Sequence, residues 1–194
     1  MKVERPAAAH QVGLTIIELM TVMIIVAVVI AVATPSMRGM MARQRVQGVH
    51  TELLTDLQLA RSEMAQRRGA STQVAVTFGG DAAVSCYTLH AVVAGINCDC
   101  TRGPGNACAP IPAGTTSPEI KTLQLTRAAG VSLAASSPGG TSIKFTPPQG
   151  LVSPADVVID VQDAVSGHLR TSVSGLGVPS VCSPDSSIAG VKPC

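Results

Sequence analysis

The stretch from Gly13 to Pro35, GLTIIELMTVMIIVAVVIAVATP, constrains this chain more than any other. Twenty consecutive residues, Leu14 to Ala33, carry a single ionisable side chain, Glu18. At about 1.5 Å per residue, a helix of that length crosses a hydrocarbon core of about 30 Å. A carboxylate at the centre of such a helix costs roughly 2.5–3.5 kcal/mol, and less toward its edge, so Glu18 calls for a partner. None stands nearby in its own segment. Lys2 and Arg5, the apolar run and the small residues Ala31, Val32 and Ala33 also fit a secretory signal peptide cut before Thr34, which yields a soluble exported protein. Three features favour a retained span: the acid, a length beyond the usual apolar core of about 7–15 residues, and a helical pattern that continues past Pro35. Arg38, Arg43 and Arg45 flank the far side as heavily as Lys2 and Arg5 flank the near side, so charge does not set the orientation.

A polar leader, a glycine, and then an apolar helix with an acid at the fifth residue after that glycine resemble the type IV pilin-like signal. The resemblance implies a prepilin peptidase that cuts after Gly13 and methylates the new amino terminus at Leu14. It also implies helices bundled in a filament, where the freed amine of one subunit sits against the Glu18 carboxylate of a neighbour and two costly charges pair. Pro35 falls where members commonly carry a helix-bending proline. Leu14 departs from the usual phenylalanine.

Beyond the span, Val46, Val49, Leu53, Leu57, Ala60 and Met64 recur every three or four residues, while Arg43, Gln47, Glu52, Gln58, Arg61 and Gln66 fall largely elsewhere on the wheel. The pattern predicts an amphipathic helix packed on a downstream domain, ending at Arg67, Arg68 and Gly69. Pro35 either kinks one continuous helix or separates two. The segment LLTDLQLARSEMAQRRGASTQVAV resembles the helix-to-strand junction of the GspH/FimT family of pseudopilins and minor pilins, at Leu57, Ala60, Arg61, Ser62, Glu63, Arg68 and Gly69.

The remainder has few aromatics, with Phe78, Tyr87 and Phe145 the only ones, and is rich in Ala, Val, Gly, Ser, Thr and Pro. Strands are predicted over 72–78, 83–93, 120–127, 131–135, 142–146, 157–161 and 169–173, with Gly79, Gly80 and Asp81 as the first hairpin turn. The expected fold class is α+β and type IV pilin-like: a long N-terminal helix packed on a C-terminal antiparallel β-sheet head. The organisation is a leader over 1–13, a transmembrane helix over 14–34, its amphipathic continuation over 35–70, and a head over 71–194 with a Cys-rich loop over 95–118.

Six cysteines, Cys86, Cys98, Cys100, Cys108, Cys182 and Cys194, allow fifteen pairings. A local pair or two plus one bridge at the tail is the economical arrangement in an oxidising compartment. A metal site using Cys98, Cys100, Cys108 and His90 has an unfamiliar spacing and competes with disulfide formation, so no metal and no cofactor is expected. A cysteine nucleophile with His90 or His168 lacks an orienting group and oxyanion donors, and no enzyme is expected.

The C-terminal part again resembles the same family, in which a closing Gly-Arg-x-Arg-x-Cys motif contributes to DNA binding in some uptake pilins. Gly177 and Cys182 match, but Val178 and Ser180 stand at the arginine positions. The head from Ser71 onward has a net charge of −1 by residue count. Phosphate attraction and base stacking therefore lack a source, apart from Arg127, Arg170 and Lys192, and nucleic acid is disfavoured as a partner. The resemblance implies a minor pilin or pseudopilin of a type IV pilus or type II secretion pseudopilus, single-pass in the bacterial inner membrane with its head in the periplasm. Its partners are then the prepilin peptidase and other pilin subunits. A DNA-uptake minor pilin, a soluble protein cut before Thr34 and a metal-dependent periplasmic enzyme are the alternatives.

Overall fold

The computed structural model describes residue 13 and residues 15–67, 73–111, 113–114, 116–137, 140–147 and 150–194. Leu14, Arg68, Gly69 and the leader before Gly13 lie outside the described residues. The chain divides after Met37 into two units.

A single helix, α1 (Ile16–Gln66), runs for 51 residues with Pro35 inside it. Thr15 starts it: its hydroxyl accepts the Glu18 N–H at 3.3 Å, one of the four N–H groups a helix leaves without an internal partner. Pro35 has no N–H for the Ala31 carbonyl, and the Thr34 hydroxyl folds back on the adjacent Ile30 carbonyl at 2.6 Å. Of the two sequence readings of Pro35, the helix follows the continuous one. Its buried residues, Ala42, Val46, His50, Leu53, Asp56, Leu57, Ala60 and Met64, form one stripe at intervals of three and four. Val49, expected on that stripe, is half-buried at its edge.

Among the described residues nine strands follow: β1 (Val74–Gly80), β2 (Val84–Ala91), β3 (Glu119–Thr126), β4 (Val131–Ser136), β5 (Ser142–Thr146), β6 (Leu151–Ser153), β7 (Val157–Asp163), β8 (His168–Val173) and β9 (Pro179–Cys182). They form two antiparallel sheets, in the orders β3-β2-β1-β5-β6 and β4-β7-β8-β9. Alternation sets the faces: in β7, Val157, Ile159 and Val161 are buried, and in β8, Leu169, Thr171 and Val173. The apolar ones among these side chains share one hydrophobic core with Val46, Leu53, Leu57, Ala60 and Met64 of α1 and with Tyr87 and Phe145. Each Leu, Ile or Val so buried contributes about 1.5–3 kcal/mol. Between the sheets, the Ser85 hydroxyl of β2 accepts the Leu133 N–H of β4 at 3.1 Å.

Two sequence expectations need correction. Gly79 and Gly80 belong to β1, paired with Cys86 and Ser85, and are not the turn. A Cβ at Gly80 would lie 2.7 Å from the Val84 carbonyl oxygen, so close backbone approach requires glycine there. The turn itself is made by Asp81, whose Oδ1 accepts the Ala83 and Val84 N–H groups at 2.7 and 2.8 Å. Those bonds hold the Asp81 carboxyl below its ordinary range. In addition, β6 and β9 were not anticipated, being three and four residues long, too short for a period-two pattern to show.

Candidate assembly site

From Ile16 to Met37 every residue is exposed, including Ile16, Ile17, Leu19, Met20, Ile24, Ile25 and Ile30 at 56–78 %. This is the one helix, among the described residues, long and apolar enough to cross a membrane. Gly13 is exposed, and a Cβ built on it meets nothing within 4 Å. The Glu18 carboxylate, in the first turn of α1, has no hydrogen bond or ion pair among the described residues. Glu18 also stands three residues after the capping Thr15, a Thr-x-x-Glu pattern that marks a helix start and was legible in the sequence. Pro35 is exposed as well.

The second half of α1 satisfies its polar groups within the head. Asp56, with its side chain 5 % exposed, accepts the Tyr87 hydroxyl at 2.7 Å and the Lys121 ammonium at 2.8 Å. Lys121 also bonds Glu52 at 2.9 Å. Burial pulls the Lys121 ammonium down, but its bonds to Asp56 and Glu52 outweigh this and leave it above the ordinary value. Burial, reinforced by the Asp56 carboxylate, pushes the Tyr87 phenol up. One cluster thus ties α1 to β2 and β3. Farther along the helix, His50 Nε2 lies 2.8 Å from the Thr171 hydroxyl of β8, and burial lowers its pKa. Neither Asp56 nor His50 was singled out from sequence, although a polar residue on an apolar stripe implies a buried partner. Glu63 bonds Arg67 at 3.3 Å one turn on.

All six cysteines are joined, as Cys86–Cys100, Cys98–Cys108 and Cys182–Cys194. The first two brace the loop between β2 and β3, and the third clasps the tail. The loop is further held by Glu119, whose carboxylate accepts the Gly105 and Ala107 N–H groups at 2.8 and 3.0 Å. Gln124 donates to the Cys100 carbonyl at 2.7 Å, and the Arg102 guanidinium donates to the carbonyls of Asn97, Ala107 and Ala109. With no free thiol, the cysteine-nucleophile reading fails. The four residues of the metal reading do not converge as a set: Cys100 is bonded to Cys86, while His90, Cys98 and Cys108 lie together. His168 sits on Asp160 at 2.9 Å.

At the C-terminal motif, Gly177 has φ +72°, and a Cβ there would lie 3.1 Å from the Gly150 carbonyl oxygen, so its role is close packing. Val178 and Ser180, at the arginine positions of the family motif, are exposed. Of the remaining cations, Arg170 is held by Asp160 through both carboxylate oxygens at 2.8 and 3.2 Å. Arg127 donates to the Asp81 carbonyl at 2.9 Å. Lys192 is exposed.

The family model described as type II transport protein GspH matches residues 51–177, from within α1 to the turn before β9 and more than half of the 194-residue chain. No curated protein and no solved structure gives a match. A single apolar N-terminal helix followed by such a head fits a membrane-anchored exported protein. The arrangement of one long helix on two antiparallel sheets agrees with the matched family, and the chain belongs to the GspH family of pilin-like pseudopilins.

Proposed function

We propose that this protein is a minor pilin or pseudopilin that enters a type IV pilus or a type II secretion pseudopilus through the N-terminal half of α1. The observation that carries the reading is the run Ile16–Met37, apolar and wholly exposed, ahead of a head that matches the GspH family. Its role is structural. A prepilin peptidase cuts after Gly13 and methylates Leu14, and residues 14–34 anchor the chain in the bacterial inner membrane with the head in the periplasm. On assembly, the Glu18 carboxylate pairs with the amine of a neighbouring subunit and sets the axial register. The head selects neighbours among other minor subunits. A DNA-uptake role has no support from the arginine positions, which hold Val178 and Ser180.

The test uses processing. Gly13→Ala places a methyl group in open space, so it leaves this fold undisturbed and reports on the peptidase alone. Unprocessed precursor is expected to accumulate in the membrane fraction. Normal cleavage of Gly13→Ala contradicts the reading.

A further inference from the structure

The unit that contains the head begins at Arg38, and its first turns carry three exposed arginines, Arg38, Arg43 and Arg45. Arg43 Nε donates to the Ser166 hydroxyl at 3.1 Å, and Arg45 Nη1 to the Ala129 carbonyl at 3.4 Å. Two turns of the head therefore meet α1 here, residues 127–130 between β3 and β4 and residues 163–167 between β7 and β8. Val165, in the second turn, is 71 % exposed. We propose that this rim is a docking surface for anionic phospholipid headgroups, which holds the head of the unassembled subunit against the bilayer; the reading rests on the membrane anchorage proposed for residues 14–34.

Charge and its position are the first support. With the hydrocarbon ending at Thr34, Arg38 stands roughly 6 Å beyond it and Arg43 and Arg45 roughly 14 and 17 Å, at about 1.5 Å per residue. A headgroup layer is about 5–7 Å deep, so Arg38 reaches the phosphates directly. The other two lie roughly 7–10 Å past its outer edge, about one Debye length in ordinary salt. Among the described residues none of the three is ion-paired with a carboxylate. The acids on the neighbouring elements are otherwise engaged: Asp163 gives Oδ1 to the Val165 N–H at 2.8 Å and keeps Oδ2 buried, and Glu52 bonds Lys121 at 2.9 Å. On the exported side these arginines work against the positive-inside bias, so they contribute nothing to orientation.

The turn 163–167 is the second support, because it is braced and yet presents an apolar tip. Asp163 N–H donates to the Gly167 carbonyl at 3.0 Å, and Ala164 N–H to the Gly130 carbonyl at 3.0 Å. A Cβ on Gly167 would lie 3.4 Å from Cα of Arg43 and Cγ2 of Val46, so the turn sits directly on the helix. Val165 is thus held outward, with Ala128, Ala129 and Ala164 exposed beside it. Met40 and Met41, 62 and 44 % exposed, continue the apolar surface along α1 next to Arg38. Apolar groups interleaved with arginines match the boundary of an anionic bilayer, where the former enter between headgroups and the guanidiniums stay with the phosphates. Val178 offers a contrast. It is 56 % exposed but shares a pocket with Leu57, Gln58 and Arg61, which stand about 21–27 Å farther along α1 than Arg43 at 1.5 Å per residue.

The test uses the full chain in lipid vesicles with Val165→Trp as the reporter, since the native chain has no tryptophan. Vesicles of phosphatidylcholine are compared with vesicles of the same lipid mixed with phosphatidylglycerol, each with brominated acyl chains as quencher. Fluorescence from position 165 should be blue-shifted and quenched in the anionic vesicles, and high salt should reverse both. Each arginine is worth on the order of fivefold in attachment, so Arg38→Gln, Arg43→Gln and Arg45→Gln together should lower the docked-to-free ratio roughly a hundredfold. Val178→Trp should stay unquenched in either vesicle. Equal quenching in the two vesicles, quenching that survives the triple substitution, or quenching at position 178 overturns the proposal. A blue shift without quenching that grows with protein density reports a contact between copies and also overturns it. Alkaline extraction separates docking from anchorage: a chain released from the vesicles refutes the anchor and the docking with it, whereas a retained chain with an unquenched reporter refutes the docking alone.

Discussion

The two halves of α1 are built from similar apolar residues and meet opposite fates. From Ile16 to Met37 no residue is buried, whereas from Arg38 to Gln66 Val46, Leu53, Leu57, Ala60 and Met64 are at most 5 % exposed. The difference lies in the pattern. In the first half the apolar residues surround the helix, which no single neighbouring face can cover; in the second they form one stripe, which the two sheets cover. The acids repeat the contrast: Asp56 has two partners within the head, and Glu18 has none among the described residues. A helix can therefore serve its own domain along one half and surroundings outside the chain along the other.

The largest expected effect comes from truncating one apolar residue in each half. Leu53→Ala should lower head stability by about 2–5 kcal/mol in denaturant unfolding, since Leu53 is fully buried. Leu19→Ala, at an exposed position, should change it by less than about 0.5 kcal/mol. Equal losses would break the comparison. The two acids give the next effect. Asp56→Ala leaves the Tyr87 hydroxyl and the Lys121 ammonium without their carboxylate and should cost about 2–3 kcal/mol, with Lys121 partly compensated by water and Glu52. Glu18→Ala should leave head unfolding unchanged yet reduce co-purification with other pilin subunits. Undiminished co-purification would remove the assembly role of this acid.

A pH series sharpens the account of the buried stripe. Burial lowers the pKa of His50 in the folded protein from 6.5, so the fold favours neutral imidazole. That contribution is complete above pH 6.5 and is lost as the pH falls from there toward the folded value. Tm should decline over this window, and His50→Gln should flatten the decline. A wild-type Tm flat from pH 7 to 5 would contradict the buried neutral histidine. The smallest effect is a gain. A Cβ on Gly48 meets nothing within 4 Å, so Gly48→Ala should raise stability by about 0.5–1 kcal/mol through helix propensity alone.

Long periodic features were legible in the sequence. The span and the stripe through Val46, Leu53, Leu57, Ala60 and Met64 follow from hydrophobic spacing, and β5 has the bounds its pattern predicts. What depends on contacts distant in sequence was not. Pro35 is compatible with a break or a continued helix, and local propensity does not choose between them. The cysteine pairing needed the fold, because fifteen arrangements satisfy the same six positions. Asp56 and His50 look like interruptions of an apolar stripe until Tyr87, Lys121 and Thr171 are placed opposite them. Thr15 is the reverse case: its pattern with Glu18 is local and readable, but the strong hydrophobic signal around it overshadows the cap.

The most direct measurement is intact-mass and N-terminal analysis of the protein purified from its native membrane. A mature chain beginning with N-methylated Leu14, and retaining the whole exposed half of α1, is the expected result. A chain beginning at Thr34 would show that the apolar segment is discarded, and would contradict its role as the assembly element.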